Sequence, residues 1–274
     1  MSSDLNNRPI GVFDSGLGGL TAVKELETIL PGESIIYFGD TGRVPYGTKS
    51  REIIKQYTAQ DIRFLQSHNV KAILAACGTV SSVAGDVGLH CGSPFFDVLP
   101  ATAKAAAAAT RNNRIAVIGT PATISSGSYK EELARINPDI QVFQCPCPLF
   151  VPLIESGYVS PADDLPKLVV KRSLEPLLPK KVDTLILGCT HYPIIEPIIS
   201  EVLGGNVALI NSGKEAALAL SRYLRENNML KNEDLPVSKM YFVSDTVDVF
   251  SSVAETFLGH SVHNLTQCIK IESY

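Results

Sequence analysis

Short apolar runs rich in β-branched residues alternate with helix-patterned stretches along the whole chain. This alternation constrains the fold more than any other feature of the sequence. It is typical of a mostly parallel sheet with helices on both faces. The runs are apolar throughout, so we expect buried strands. The predicted strands are residues 10–13, 35–38, 72–75, 95–99, 115–118, 184–187, 207–210 and 240–243. The predicted helices are residues 20–30, 50–66, 101–110, 126–135, 163–178, 194–202, 214–226 and 247–258.

Composition narrows the class of protein. A length of 274 residues allows one large α/β domain or two smaller ones, and the formal net charge of −4 offers no basic surface for nucleic acid. Apolar runs are too short to span a bilayer, and residues 1–7 are too short and polar for a secretory signal. We therefore expect a cytoplasmic protein without nucleic-acid or membrane partners, whose six cysteines stay reduced.

Two cysteines occupy equivalent places in the pattern. Cys77 and Cys189 each end an apolar run and begin a polar, helix-starting stretch. In an α/β fold such positions line the ligand crevice. A lone cysteine there is usually a small packed residue. Here both cysteines have a hydroxyl residue close behind, Thr79 and Thr190, and the second also has His191, which can assist proton transfer. The pair predicts two thiols that face one substrate.

The first strand ends in a glycine-rich turn, residues 14–19. Such a turn either exposes backbone amides to an anion or only permits a tight connection, and its glycine spacing is not that of a dinucleotide site. Asp14 at the strand end either caps the next helix or exchanges protons with a nearby thiol. About the same length of chain separates Asp14 from Cys77 as Thr120 from Cys189. This repeat predicts two similar lobes.

Other candidates have plainer interpretations. The long loop at residues 39–47 either binds ligand or only connects a strand to a helix. Glu155 is by default a surface carboxylate. Cys145 and Cys147 lack the spacing of a zinc site, so packing is the better interpretation. The other four histidines are given no chemical role, and no lysine lies in a pyridoxal-type context.

Three separated motifs, residues 9–21, 37–47 and 187–193, resemble those of the bacterial glutamate racemases of the cofactor-independent Asp/Glu racemase family. The resemblance covers essentially the whole chain. It implies an α/β fold of two similar doubly wound lobes with mostly parallel sheets and the active site in the cleft between them. We place one lobe at residues 1–100 and 211–274, carrying Cys77, and the other at residues 101–210, carrying Cys189.

The resemblance also implies roles. Cys77 would deprotonate the D isomer of glutamate and Cys189 the L isomer, without cofactor or metal. The implied catalytic set is Cys77, Cys189, Asp14, His191, Glu155 and Asp40. The implied substrate contacts are Asp14, Ser15, Tyr46, Gly47, Gly78, Thr79, Thr120, Thr190 and His191. A homodimer that supplies D-glutamate for peptidoglycan is the implied biological setting.

One position departs from the family pattern. Gly78 stands where the family usually has asparagine, so a side-chain amide that would contact the substrate is missing. Such a charge-assisted hydrogen bond is worth ~1.5–3 kcal/mol. The alternatives are therefore a related racemase with another acidic preference, such as aspartate, or a catalytically weakened binding or regulatory homologue. If the missing amide limits binding, Gly78→Asn is expected to improve turnover.

Overall fold

In a computed structural model that describes residues 5–274, the chain forms two parallel β-sheets. The six-stranded sheet has the order β10-β9-β2-β1-β3-β4, and the four-stranded sheet has the order β6-β5-β7-β8. The strands of the first are β1 Ile10–Asp14, β2 Ile35–Gly39, β3 Ala72–Ala75, β4 Phe95–Asp97, β9 Lys239–Val243 and β10 Thr266–Cys268. Those of the second are β5 Arg114–Gly119, β6 Gln141–Pro146, β7 Thr184–Leu187 and β8 Ala208–Asn211.

Helices follow most strands. They are α1 Leu20–Ile29, α2 Arg51–Ser67, α3 Gly78–Gly88, α4 Val98–Ala109, α5 Pro121–Ser126, α6 Ser128–Ile136, α7 Phe150–Glu155, α8 Asp164–Leu174, α9 Glu196–Val202, α10 Ser212–Glu226 and α11 Val247–Leu258. Short 3-10 helices lie at Thr41–Arg43, Tyr46–Thr48, Glu175–Lys180, Tyr192–Ile195, His263–Leu265 and Ile271–Ser273. Several helices start at a side-chain cap; Ser50 Oγ, for example, accepts the amide of Ile53 at 3.3 Å.

Both faces of the central strands are buried. In β3, Ala72 and Leu74 belong to a core cluster that runs through both lobes, whereas Ile73 and Ala75 belong to a second cluster confined to the lobe of the six-stranded sheet. This alternation follows from the two-residue period of a strand. Burial on both faces explains why the strand sequences are apolar throughout. Each fully buried Val or Leu side chain contributes ~1.5–3 kcal/mol.

The sheet order brings the functional strand ends together. β1 pairs in parallel with both β2 and β3, and β5 pairs in parallel with both β6 and β7. Asp14 and Cys77 therefore leave neighbouring strands at one edge of the first sheet. Thr120 and Cys189 leave neighbouring strands of the second sheet in the same way. The carboxyl ends of parallel strands are where α/β proteins bind ligands.

The two sheets draw on separate parts of the chain. The six-stranded sheet uses residues 10–97 and 239–268, and the four-stranded sheet uses residues 114–211. The lobe boundaries placed after residues 100 and 210 remain a proposal, which this separation supports. Helix α10 packs on both α1 and α4, so it ties the two lobes together. Between residues 5 and 274, no helix is long and apolar enough to cross a membrane.

Some predicted elements were wrong in extent, and others were missed. The strand predicted at residues 95–99 ends at Asp97, because Asp97 accepts the amide of Leu99 at 2.9 Å and caps α4. The helix predicted at residues 126–135 is split by Gly127, whose φ of 72° is left-handed. The one predicted at residues 163–178 gives way to the 3-10 turn Glu175–Lys180, which contains two prolines. Strands β6 and β10 were missed, since these edge strands are partly exposed and carry polar residues.

Candidate active site

A cavity of about 470 Å³ lies between the carboxyl ends of the two sheets, with walls from both lobes. Most of the predicted site residues line it: Ser15, Tyr46, Gly47, Cys77, Gly78, Thr79, Thr120, Glu155, Cys189, Thr190 and His191. Asp14 and Asp40 do not line it. The structure thus brings residues from several strand ends and loops to one chamber that holds both thiols.

Cys77 enters the cavity at the start of helix α3, two residues after β3. Its thiol donates a hydrogen bond to Ser15 Oγ at 3.4 Å. Burial and, after it, the negative charge of Asp14 raise the pKa of Cys77 from 9.0 to about 12. Backbone amides of Val80 and Ser15 act in the opposite direction but do not cancel the effect of burial. At neutral pH this sulfur therefore holds its proton.

Asp14 lies behind Cys77, at the end of β1. Its Oδ2 accepts the amide of Gly16 at 2.9 Å, and its Oδ1 has no hydrogen-bond partner within the described chain. Burial raises the pKa of Asp14, while the charge of His191 and the hydrogen bond from Gly16 partly offset that rise. The carboxylate is therefore a poorly solvated base beside the first thiol.

Cys189 has a different neighbour. Its sulfur lies 3.8 Å from Nδ1 of His191, whose Nε2 lies 2.9 Å from Oε1 of Glu155. Burial lowers the pKa of His191, but the contacts with Cys189 and Glu155 outweigh burial and raise it from 6.5 to about 10. The imidazole is therefore protonated at neutral pH. The Glu155 side chain is 40% exposed, so its surface position was predicted but its partner was not.

Asp40 supports the cavity wall from behind. It is fully buried and accepts hydrogen bonds from the hydroxyl of Tyr46, from Arg43 Nε at 2.6 Å and from Ser244 Oγ at 2.7 Å. Sequence reasoning missed Asp61, which contacts Tyr46 and Arg43 in the same cluster. Burial, then the charge of Asp40, raises the pKa of Asp61. An acid on the apolar face of amphipathic helix α2 was the available signal.

Hydroxyl groups meet across the cleft. Thr79 Oγ1 and Thr120 Oγ1 are 3.2 Å apart, one from each lobe. Thr21 Oγ1 donates to the carbonyl of Thr190 at 2.8 Å.

Cys147 also lines the cavity, which the sequence did not predict, and its thiol lies 3.8 Å from the carbonyl of Cys145. Among residues 5–274 no group of His, Cys, Asp and Glu is arranged to hold a metal ion.

Position 78 has no room for a side chain. A Cβ on Gly78 would lie 2.4 Å from the carbonyl oxygen of Gly188, in the opposite lobe. Atoms do not approach so closely without displacement of the backbone. This geometry reverses the expectation from sequence, and we now expect Gly78→Asn to impair turnover rather than improve it.

Comparisons with known proteins show the family of this chain. A family model described as Asp/Glu/Hydantoin racemase matches residues 15–220. The chain belongs to this racemase family. Among curated family members it is 44% identical over 260 residues to the glutamate racemase of Neisseria meningitidis serogroup A, covering 94% of this chain and 95% of that protein. It is 42% identical over 275 residues to the glutamate racemase of Thermoanaerobacter pseudethanolicus, covering 98% and 100%.

Solved structures of the racemase family share the fold. The crystal structure of glutamate racemase from Francisella tularensis subsp. tularensis SCHU S4, in complex with D-glutamate, superposes with a TM-score of 0.91 at 42% identity. The match covers 98% of this chain and 100% of that one. The two-lobed α/β architecture predicted from sequence is therefore confirmed.

Proposed function

We propose that this chain interconverts L-glutamate and D-glutamate without a cofactor, by acid/base catalysis with two thiols. The observation that carries the proposal is the placement of Cys77 and Cys189, from different lobes, in the walls of one cavity. The names of the relatives and the D-glutamate complex of the Francisella protein support glutamate as the substrate. Production of D-glutamate for peptidoglycan, and work as a cytoplasmic homodimer, belong to the same proposal.

The chemistry requires one group on each face of the α-carbon. With L-glutamate, Cys189 as thiolate takes the α-proton, and the Cys77 thiol gives its own proton to the opposite face. The thiol and thiolate have then exchanged places, and no proton is lost or gained overall. With D-glutamate the two sulfurs act in reverse. Each step moves a proton between sulfur and carbon, so no electron sink on a cofactor is required if the planar intermediate is stabilised.

The neighbouring acids and bases fit these roles. Asp14 is placed to accept a proton from Cys77 or to return one. Protonated His191 is placed to give a proton to Cys189 and, once neutral, to take one back, and Glu155 holds that ring in position by its 2.9 Å contact. Such second partners fix the orientation of a catalytic imidazole. Asp40 acts one step further away, because it positions Tyr46 in the cavity wall.

Binding of the amino-acid head group falls to the hydroxyls and amides of the walls. Ser15, Thr79, Thr120 and Thr190 bring hydroxyl groups from both lobes. The N-terminal amides of α3 supply further donors to a carboxylate, and they stabilise the negative charge that develops during deprotonation. Gly47 and Tyr46 complete the wall contributed by the loop after β2.

The test is a racemisation assay on the purified chain, free of pyridoxal phosphate. Each enantiomer of glutamate and of aspartate is supplied separately, and optical activity is followed by circular dichroism. We expect both glutamate enantiomers to reach the racemic mixture and aspartate to react at least about 10-fold more slowly, since one methylene changes recognition by ~1–3 kcal/mol. Faster turnover of aspartate would favour the aspartate alternative. No turnover of any acidic amino acid would favour a binding or regulatory homologue.

A further inference from the structure

Two glycines beside the thiols bring the two lobes into close contact. Gly78 directly follows Cys77, and Gly188 directly precedes Cys189. An ideal Cβ on Gly78 would lie 2.4 Å from the Gly188 oxygen and 3.3 Å from its carbonyl carbon. The φ angle of Gly78 is not in the left-handed region, so the need for glycine is purely steric.

The backbone on each side of the Gly78–Gly188 contact is held by secondary structure. The amide of Gly188 donates to the carbonyl of Ile118 at 2.8 Å, which fixes Gly188 to strand β5. Gly78 is equally fixed, because it starts helix α3 one residue after Cys77, just beyond strand β3. Ordinary van der Waals contact begins at about 3.4 Å, so any side chain at position 78 must increase the separation of Gly78 and Gly188 by about 1 Å. Cys77 and Cys189 are covalently attached to these two glycines, so their separation would change as well.

We propose that Gly78 is a positioning residue that sets the separation of the two thiols across the substrate α-carbon. The inference rests on the proposed racemase function and deepens it. In this chain the space that a side chain at position 78 would occupy is filled by the backbone of the opposite lobe. The Thr79–Thr120 contact at 3.2 Å, one residue further along, holds the lobes in the same closed arrangement. Substrate recognition is therefore left to groups other than position 78.

A side chain at position 78 should change the kinetics in a characteristic way. Misplacement of a reacting group by about 1 Å costs on the order of 10²-fold in rate. We expect Gly78→Ala to lower kcat about 10²-fold with less change in KM, in both directions. Abstraction by one thiol would continue without a matched donor on the other face. The variant should therefore exchange the α-hydrogen of its substrate with solvent deuterium more often, relative to inversion, than the parent does.

The matched control is Gly32→Ala. Gly32 also has an ordinary φ, but its added Cβ would meet nothing within 4 Å. We expect this variant to keep the parental kcat and the parental ratio of exchange to inversion. Thermal melting of both variants tests folding. A general loss of stability in Gly78→Ala would lower the amount of active protein without changing the ratio of exchange to inversion.

Crystal structures give a readout that does not depend on activity. We expect the Cys77 Sγ to Cys189 Sγ distance to be about 1 Å longer in Gly78→Ala than in the parent. Gly78→Ala with a kcat within 3-fold of the parent, or with an unchanged sulfur separation, would overturn the inference. If the variant does not fold, the glutamate-bound parent decides: loss of the Gly78 to Gly188 contact on binding would overturn it, and retention would support it. If the parent racemises nothing, the proposed function fails, and the sulfur separation alone tests the role of Gly78.

Discussion

The two halves of the cavity place different charged groups beside their thiols. Cys77 has a buried carboxylate, Asp14, behind it, and its pKa is raised to about 12. Cys189 has a protonated imidazole beside it, and His191 is in turn held by the partly exposed Glu155. One thiol is thus kept as a proton donor, while the other lies next to a positive charge. In the proposed mechanism this difference corresponds to Cys77 acting as the acid.

The strand pattern does not cause this asymmetry. Both cysteines lie two residues after a buried parallel strand. Cys77 then caps helix α3, whereas Cys189 lies three residues before the 3-10 turn Tyr192–Ile195. The residue two positions later differs, Thr79 on one side and His191 on the other. The charge behind each thiol also differs in origin, since Asp14 ends a neighbouring strand and Glu155 ends helix α7. Neighbouring side chains therefore act together with burial to distinguish the two halves.

Removal of either active-site sulfur is expected to have the largest effect. We expect Cys77→Ser and Cys189→Ser each to lower racemisation about 10³-fold or more in both directions, because inversion needs both faces. Steady-state rates by circular dichroism measure this. Cys268→Ser, at an exposed thiol far along the chain, serves as the control and should keep full activity. Near-parental racemisation in either active-site variant would refute the two-thiol mechanism.

Removal of the acid or base beside each thiol separates the roles of the two halves. His191→Asn and Asp14→Asn should each lower kcat/KM about 10²-fold. The equilibrium constant between enantiomers is 1, so each variant must lower kcat/KM equally in the two directions. The primary isotope effect distinguishes the halves: we expect it to increase with α-deuterated L-glutamate in His191→Asn and with α-deuterated D-glutamate in Asp14→Asn. The opposite assignment of isotope effects would exchange the roles of Cys77 and Cys189.

Glu155 offers a smaller test of the Cys189 half. We expect Glu155→Gln to lower kcat/KM roughly 3- to 10-fold, since a partly exposed ion pair is screened by solvent. Loss of the carboxylate should also lower the pKa of His191 and move the alkaline limb of the pH profile to lower pH. The matched control is Glu201→Gln, which removes a surface carboxylate paired with Lys167. An unchanged alkaline limb in Glu155→Gln would show that Glu155 does not hold the His191 proton.

The smallest expected effect is on stability. The pKa of His191 is raised from 6.5 to about 10 in the folded chain. A raised pKa contributes stability that is fully present below pH 6.5 and lost as the pH rises to about 10. We therefore expect the Tm advantage of the parent over His191→Asn to shrink between pH 7 and pH 10. A constant or growing difference over that range would mean that the imidazole is neutral in the folded state.

Sequence was sufficient for the parts of the site that backbone topology determines. Buried apolar runs specify parallel strands, and parallel strands place their carboxyl ends at one edge, so Asp14 and Cys77 had to converge. Contacts between distant elements were out of reach. Glu155 meets His191 only through the packing of helix α7, and Asp61 joins Asp40 only when α2 covers the sheet. The Gly78 to Gly188 contact depends on how closely the lobes approach, and no local pattern encodes that distance.

Racemisation of L-glutamate in deuterium oxide tests whether two sulfurs serve opposite faces of one carbon. Mass spectrometry of the separated enantiomers at a few per cent conversion gives the deuterium content of each. We predict that the D-glutamate formed carries one deuterium at the α-carbon, while the L-glutamate that remains is still protiated. Retention of the original proton in the product, or equal early labelling of both enantiomers, would mean that a single base serves both faces and would contradict the account.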